Sequence, residues 1–511
     1  MKTRMAAEAA DERSVHGRIG RRDAPQYFWT SQSLRVGLRL LRPSASICVL
    51  FLAASCAVGP NYSKPEIETP AAFKEASGDW VVAQPKDEAP KGKWWEIFGD
   101  PVLSGLMEEV GVSNQTLAAA EARYRQARAA VQSARAGLFP SVGAGGGAQR
   151  SRRGESGSEA GYDVSLDARW EIDLWGRVRR LVEASRAGEA ASAADLEAVR
   201  LSLQAELATN YFQLRVTDVQ RELLDDTVKA FQGSLHVTRN RYEAGVAGRV
   251  DVVQAEAQLR STEAQAIDLR ATRAQLEHAI AVLAGKPASS FTLAPAKFQV
   301  RIPDLPPGVP STLLERRPDV AAAERRVAAA NARIGVAQAA YFPSLSLTGS
   351  GGFASGALST LISAPSRIWS LGLGLAGTVL DFGARRAQVE SARAAYDETV
   401  ANYRQAVLQA FEEVESNLAN ARWLAEEGKV QQDAARLARE SVVLTVNQYK
   451  AGTVSYLNVV QVQATQLNEE RQTVALLGRR LASTVALIRA LGGGWRVAAP
   501  QSVALPSSPG R

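Results

Sequence analysis

An internal repeat constrains this chain more than any other feature, because a unit written twice has to be folded and buried twice. Leu117, Ala120, Tyr124, Ala127, Val131, Ala134 and Leu138 are spaced alternately three and four residues apart. Val320, Ala323, Val327, Ala330, Ile334, Ala337 and Tyr341 repeat that spacing 203 residues later. Such spacing is a coiled-coil seam, and its alanines let neighbouring helices approach closely. Both seams run into the same tripeptide, Phe139-Pro140-Ser141 and Phe342-Pro343-Ser344. Proline cannot continue the helix, so the pattern changes there.

The new period is two. Tyr162, Val164, Leu166, Ala168, Trp170 and Ile172 alternate with Asp163, Ser165, Asp167, Arg169, Glu171 and Asp173. This predicts a strand with one apolar face. The second copy gives Trp369, Leu371, Leu373, Leu375 and Val379 against Ser370, Gly372, Gly374, Ala376 and Thr378. Shorter strands are expected at 142–150 and 345–353, with loops at 151–161 and 354–367. Long helices follow at 177–243 and 385–450, each roughly 100 Å at 1.5 Å per residue. Both end at a glycine turn, Gly245 and Gly452, and both lead into a return helix through Val252-Val253-Gln254 and Val459-Val460-Gln461. Gly supplies the left-handed conformation that closes such a helix.

The helices are committed to their seams, so they cannot also cover the apolar strand faces. A membrane can, provided every strand edge is paired, which requires a closed barrel. Four strands cannot close around a useful lumen, whereas three copies would supply twelve. Asp163, Asp167, Glu171 and Asp173 would then line water.

The N-terminus reads as an address. Residues 1–33 form a polar, disordered extension, and 34–55 form a signal peptide with Arg35, Arg39 and Arg42 before an apolar run at 47–54. Leu52-Ala53-Ala54-Ser55-Cys56 is similar to a bacterial lipoprotein signal, in which Cys56 carries covalent lipid. The two cysteines, Cys48 and Cys56, allow no disulfide framework, and His16, His236 and His278 lack metal-ligand spacing. No cofactor beyond the lipid is expected. The first 55 residues hold nine Lys/Arg and four acids, which is +5 of the net +7. The remainder has no basic excess for nucleic acid. No HExxH, GxSxG or Walker loop and no paired catalytic acids occur, so an enzyme is not expected.

Several blocks resemble one family. Cys56-Ala57-Val58-Gly59-Pro60-Asn61-Tyr62-Ser63-Lys64-Pro65 is one. Trp94-Trp95 with Phe98-Gly99-Asp100-Pro101 is another. Leu314-Glu315-Arg316-Arg317-Pro318-Asp319-Val320, continuing to Phe342-Pro343-Ser344, is the most specific. The chain looks like a TolC-type outer-membrane factor, in the NodT subfamily of outer-membrane lipoproteins that serve RND efflux systems. The resemblance covers 56 to about 495.

It implies a mixed α+β membrane protein with two internal structural repeats. Four strands per chain would enter a trimeric 12-stranded β-barrel, continued by a long periplasmic α-helical barrel. Residues 56–100 would be an anchor and linker, 101–300 and 301–495 the repeats, and 496–511 a flexible tail. The implied function is the outer-membrane channel of a tripartite efflux pump. It would conduct drugs or other small toxic compounds from an inner-membrane RND transporter and periplasmic adaptor across the bacterial outer membrane. A protein or polysaccharide export duct is the alternative, and a soluble coiled-coil scaffold a distant third. By motif position Tyr449, Leu457 and Gln461 fall at the periplasmic gate, Leu457 as apolar plug. Some relatives have Asp where Gln461 stands. Gly245, Asp251 and Gly452 fall at the tip turns, where the adaptor would dock. Asp251 is equally readable as a helix N-terminal residue favoured by the dipole.

Overall fold

The computed structural model describes residues 57–70, 72–75, 93–152, 157–296, 298, 300, 302–303 and 317–493, all within one compact unit, Ala54–Arg511. The expectations for residues 1–33, 34–55, Cys56 and 496–511 lie outside the described residues.

A short 3-10 helix, Trp94–Phe98, leads into α1 (Pro101–Ser113) and α2 (Gln115–Ala136), then β1 (Ser141–Arg152) and β2 (Ser158–Ile172). The hairpin α3 (Arg177–Glu243) and α4 (Arg249–Leu283) follows. Next come α5 (Pro318–Ala339), β3 (Ser344–Ser355), β4 (Arg367–Ala376) and a second hairpin, α6 (Ala384–Lys450) and α7 (Tyr456–Ala490). Element lengths match between the halves: 22 residues in α2 and α5, 67 in α3 and α6, and 35 in α4 and α7.

Local chemistry sets the boundaries. The chain breaks between α1 and α2 at Asn114. Its side chain accepts from Leu117 N, and its amide nitrogen donates to the Leu283 carbonyl, so the break ties α2 to the end of α4. Asp100 caps α1 by accepting from Val102 N and Leu103 N. The strands overrun the loop expected at 151–161, because register continues to Arg152 opposite Ser158 and the Arg150 guanidinium bonds Ser158 Oγ. Polar side chains do not stop backbone pairing where both faces are wet.

Each long helix is bracketed along its length. α3 packs on α2 and α5 toward the sheet and on α4 toward the far turn, while α6 packs on α5 and α7. Trp94, Trp95 and Phe98 fold into a core with Leu103, Met107, Tyr211, Phe212 and Leu481, midway along the helices. Arg317 is buried at the start of α5. It pairs with Asp319 and Glu413 and donates to the Ala490 carbonyl, joining α5, α6 and the end of α7.

Candidate channel and gate

The sheet runs β1-β2-β3-β4, antiparallel throughout, and its register keeps the period-two alternation in phase across all four strands. Asp163 lies opposite Gly147 and Ala354, Asp167 opposite Gly143 and Ser350, and Glu171 opposite Ser346. That face continues into β4 through Gly374, Gly372 and Ser370, with Ile368 its apolar exception. Val164, Leu166, Trp170, Leu345, Leu347, Leu371, Leu373 and Leu375 occupy the other face. Of these, Val164, Leu166, Leu371, Leu373 and Leu375 are exposed, as is Trp369 on the same face at 81%, while Trp170, Leu345 and Leu347 are half-buried. Gly352 is required by close approach, since a β-carbon there would clash with the Val164 carbonyl oxygen. Among the described residues, no strand covers the outer edge of β1 or β4. No helix among them is long and apolar enough to cross a membrane.

The acids on this face do different things. Asp163 and Asp167 stand on the polar surface, Asp167 accepting from Ser165 Oγ. Glu171 forms a two-point ion pair with Arg177, at 2.9 and 2.8 Å. Asp173 lies past the end of β2. Its carboxylate accepts from Val178 N and Arg179 N and so caps α3, a role that alternation alone could not separate from lining water.

Where sheet meets helices, the first described residues are clamped. Val58 N donates to the Trp175 carbonyl, and Arg180 reaches the carbonyls of Val58 and Gly59 and the side chain of Asn61. Asn331 donates to the Pro60 carbonyl. Gly59, at φ 103°, lies so close to Gly335 that a β-carbon would clash with the Gly335 Cα. The Tyr62 hydroxyl donates to Glu324. Burial first, and then that bond, push its pKa far above the ordinary tyrosine value. Sequence reasoning missed Arg180, which has no counterpart in the second copy, where Ala387 stands.

At the opposite end of the long helices the two turns meet. Gly245 and Gly452 adopt φ 74° and 77°, and Val246 N and Thr453 N bond back to the Arg241 and Gln448 carbonyls. Phe231, Leu235 and Leu259 of the first hairpin form one core with Tyr449, Tyr456 and Val459 of the second. Arg241 lies over the Tyr449 ring at 4.6 Å and donates to the Tyr449 carbonyl. Arg241 was also missed, although the strings Arg241-Tyr242-Glu243-Ala244-Gly245 and Gln448-Tyr449-Lys450-Ala451-Gly452 align. Asp251 sits in the first turn of α4. Tyr456 is held above its usual pKa by burial first, then by the neighbouring Tyr449 and Asp251, against a bond from Thr238. Tyr449 is thus a core residue. Leu457 is 54% exposed and outside that core, and Gln461 is exposed. Five buried side-chain polar atoms among the described residues lack a partner. Four cluster toward this tip, Arg241 Nε, Gln254 Oε1, Tyr449 Oη and Gln463 Oε1, and the fifth is Glu109 Oε2.

A two-faced sheet continued by helical hairpins that converge on a glycine-turn tip is the geometry of a duct, and comparison identifies which. The outer membrane efflux protein profile matches residues 106–286 and 309–493. The chain belongs to the outer membrane efflux protein family. It is similar to the probable efflux pump outer membrane protein TtgC of Pseudomonas putida, 30% identical over 457 residues, 87% of this chain and 94% of that one. It is 31% identical over 430 residues to the pyoverdine export outer membrane protein OpmQ of Pseudomonas aeruginosa, covering 82% and 90% of the two chains. The solved outer-membrane channel OprN superposes with a TM-score of 0.79 at 33% identity, over 86% of this chain and all of that one. As an outer membrane efflux protein, the chain is an outer-membrane channel component whose helices extend into the periplasm.

Proposed function

We propose that three copies of the chain close their sheets into one twelve-stranded barrel, continued by a helical tunnel. We propose that this assembly is the exit duct of a tripartite pump that carries drugs or other small toxic compounds. The two halves then act as structural repeats, six per assembly. One observation carries the reading. The apolar face is in register across four strands, and among the described residues both sheet edges are open, which in lipid is tolerable only if each edge finds a strand. The β4 edge of one copy meets the β1 edge of the next. The apolar face then meets lipid, and Asp163 and Asp167 line the lumen. No catalytic step enters this function.

Native mass spectrometry in detergent, or chemical cross-linking of the purified protein, tests the assembly. A trimer is expected, and a monomer under mild detergent contradicts it.

The clamp on residues 57–62 supports lipid attachment at Cys56, since it fixes the chain immediately after that residue beside the end of β2. Mass spectrometry of the mature protein should find an acylated N-terminal Cys56, and Cys56→Ser should block processing. At the tip, the exposed Leu457 from three copies forms the plug and Gln461 lines the approach with amides in place of acids. The turns at Gly245, Asp251 and Gly452 meet the adaptor, which opens the duct by binding the open state more tightly. An RND transporter supplies the cargo. Pyoverdine export by the relative OpmQ keeps a small exported metabolite as the second reading.

A further inference from the structure

The chain contains, inside itself, a template for the contact between copies. Where β2 meets β3, the residue just before the left-handed Gly176 is Trp175, and the residue just before Pro343 is Phe342. Their rings stack at 4.7 Å and 23°, and Trp175 Nε1 donates to the Pro343 carbonyl at 2.8 Å. The same two positions recur at the open edges of the sheet. Phe382 just precedes the left-handed Gly383 after β4, and Phe139 just precedes Pro140 before β1. Neither has a partner ring among the described residues of the chain: Phe382 is 94% exposed and Phe139 68%.

We infer that Phe382 stacks on Phe139 of the partner subunit, closing each boundary of the assembly as Trp175–Phe342 closes the middle of each sheet. This rests on the trimeric reading above and names the side chains at its seam. Joining β4 to the next copy's β1 in the antiparallel sense of β2 with β3 carries the first ring over the second. A second observation supports a recognition role. Phe382 is the one non-glycine residue with positive φ among the described residues, at 51°. A β-carbon resists that conformation, and such strain persists where the surroundings over-determine it. The cause is local. Asp381-Phe382-Gly383 is one residue shorter than Asp173-Leu174-Trp175-Gly176, so the backbone must turn harder to deliver the ring. Asp381 holds the turn by accepting from Gly383 N and Arg385 N. Phenylalanine has no N–H, so the boundary stack lacks the bond to the proline carbonyl that the internal one has.

The test is paired cysteine substitution in the full-length protein in its native membrane. Phe139→Cys and Phe382→Cys, combined in one chain or carried by two co-expressed chains, should be joined between subunits by oxidation or a short bifunctional thiol reagent, giving covalent dimers and trimers. Each single variant alone should not. Trp175→Cys with Phe342→Cys calibrates the reagent by linking within one chain. A double-mutant cycle with Phe139→Ala and Phe382→Ala reads the same contact without cysteines. Each should speed trimer dissociation by about threefold, as expected for an aromatic pair, and the double variant should be no faster than either. Additive effects would overturn the pairing. So would an intact trimer carrying both Phe139→Cys and Phe382→Cys that gives no cross-links and whose thiol at position 382 reacts freely with a lipid-soluble maleimide, a result that assigns the ring to lipid. A wild-type chain that never forms trimers overturns the assembly itself.

Discussion

Midway along α3 and at its far end, polar groups enter the helical packing under different terms. In the middle, Asp218 receives Arg273 at 2.7 Å and Arg215 at 3.4 Å. Arg215 also holds the Ala294 carbonyl, and Glu277 holds Arg273 and Leu293 N. None of these groups is among the buried atoms left without a partner. At the tip, four are. Buried polar atoms without partners are costly, and their concentration at one end marks where the packing is least committed to one arrangement. The middle is a fixed collar. On the gate proposed above, the tip is the part of the bundle that changes partners.

The collar should break first. Asp218→Ala leaves two guanidiniums facing each other in a buried site. It should cost about 3 kcal/mol of unfolding free energy in detergent, read by chemical denaturation. A loss below about 1 kcal/mol would mean that the collar is not the stabilising belt described here.

Tyr211→Phe is milder. It removes the donor to Asp100 and should cost about 1 kcal/mol at neutral pH. Burial first, and then the Asp100 bond, push the Tyr211 pKa from 10.0 to about 12, against a lowering by Arg215. A raised folded pKa keeps its stabilisation below about pH 10 and loses it as pH rises toward about 12. Stability measured across that window should therefore fall less steeply in Tyr211→Phe than in the wild type.

The tip should tolerate more. Arg241→Ala removes a cation–π contact and one bond to a carbonyl, and should cost about 1 kcal/mol or less, measured by the same denaturation. Its larger effect should be on the closed tip, seen as more frequent openings in bilayer recordings. A stability loss equal to that of Asp218→Ala would erase the contrast between the two regions.

Much of this arrangement was legible in the sequence. The helix expected at 177–243 is α3 residue for residue, because the end of the strand pattern before Gly176 and the glycine turn at Gly245 bound it on both sides. The two sheet faces were legible because a period of two survives in every strand. Alternation does not say where a strand stops, so Asp173 fell on the water-lining face although it caps a helix. The clamp on Val58, Gly59 and Asn61 had no local signal, because Arg180 and Gly335 lie more than a hundred residues away. Burial at the tip was not readable either. Tyr449 and Leu457 look alike in the pattern, yet one is core and the other faces out.

Leu457 therefore carries the most direct test. As an exposed side chain it should tolerate Leu457→Ser with less than about 0.5 kcal/mol lost, and the trimer should stay intact. The purified wild-type and Leu457→Ser proteins would be compared by single-channel recording in planar bilayers. A clear rise in conductance for the intact variant is the predicted result. Unchanged conductance in a well-folded Leu457→Ser trimer would contradict a gate at this tip built on Leu457.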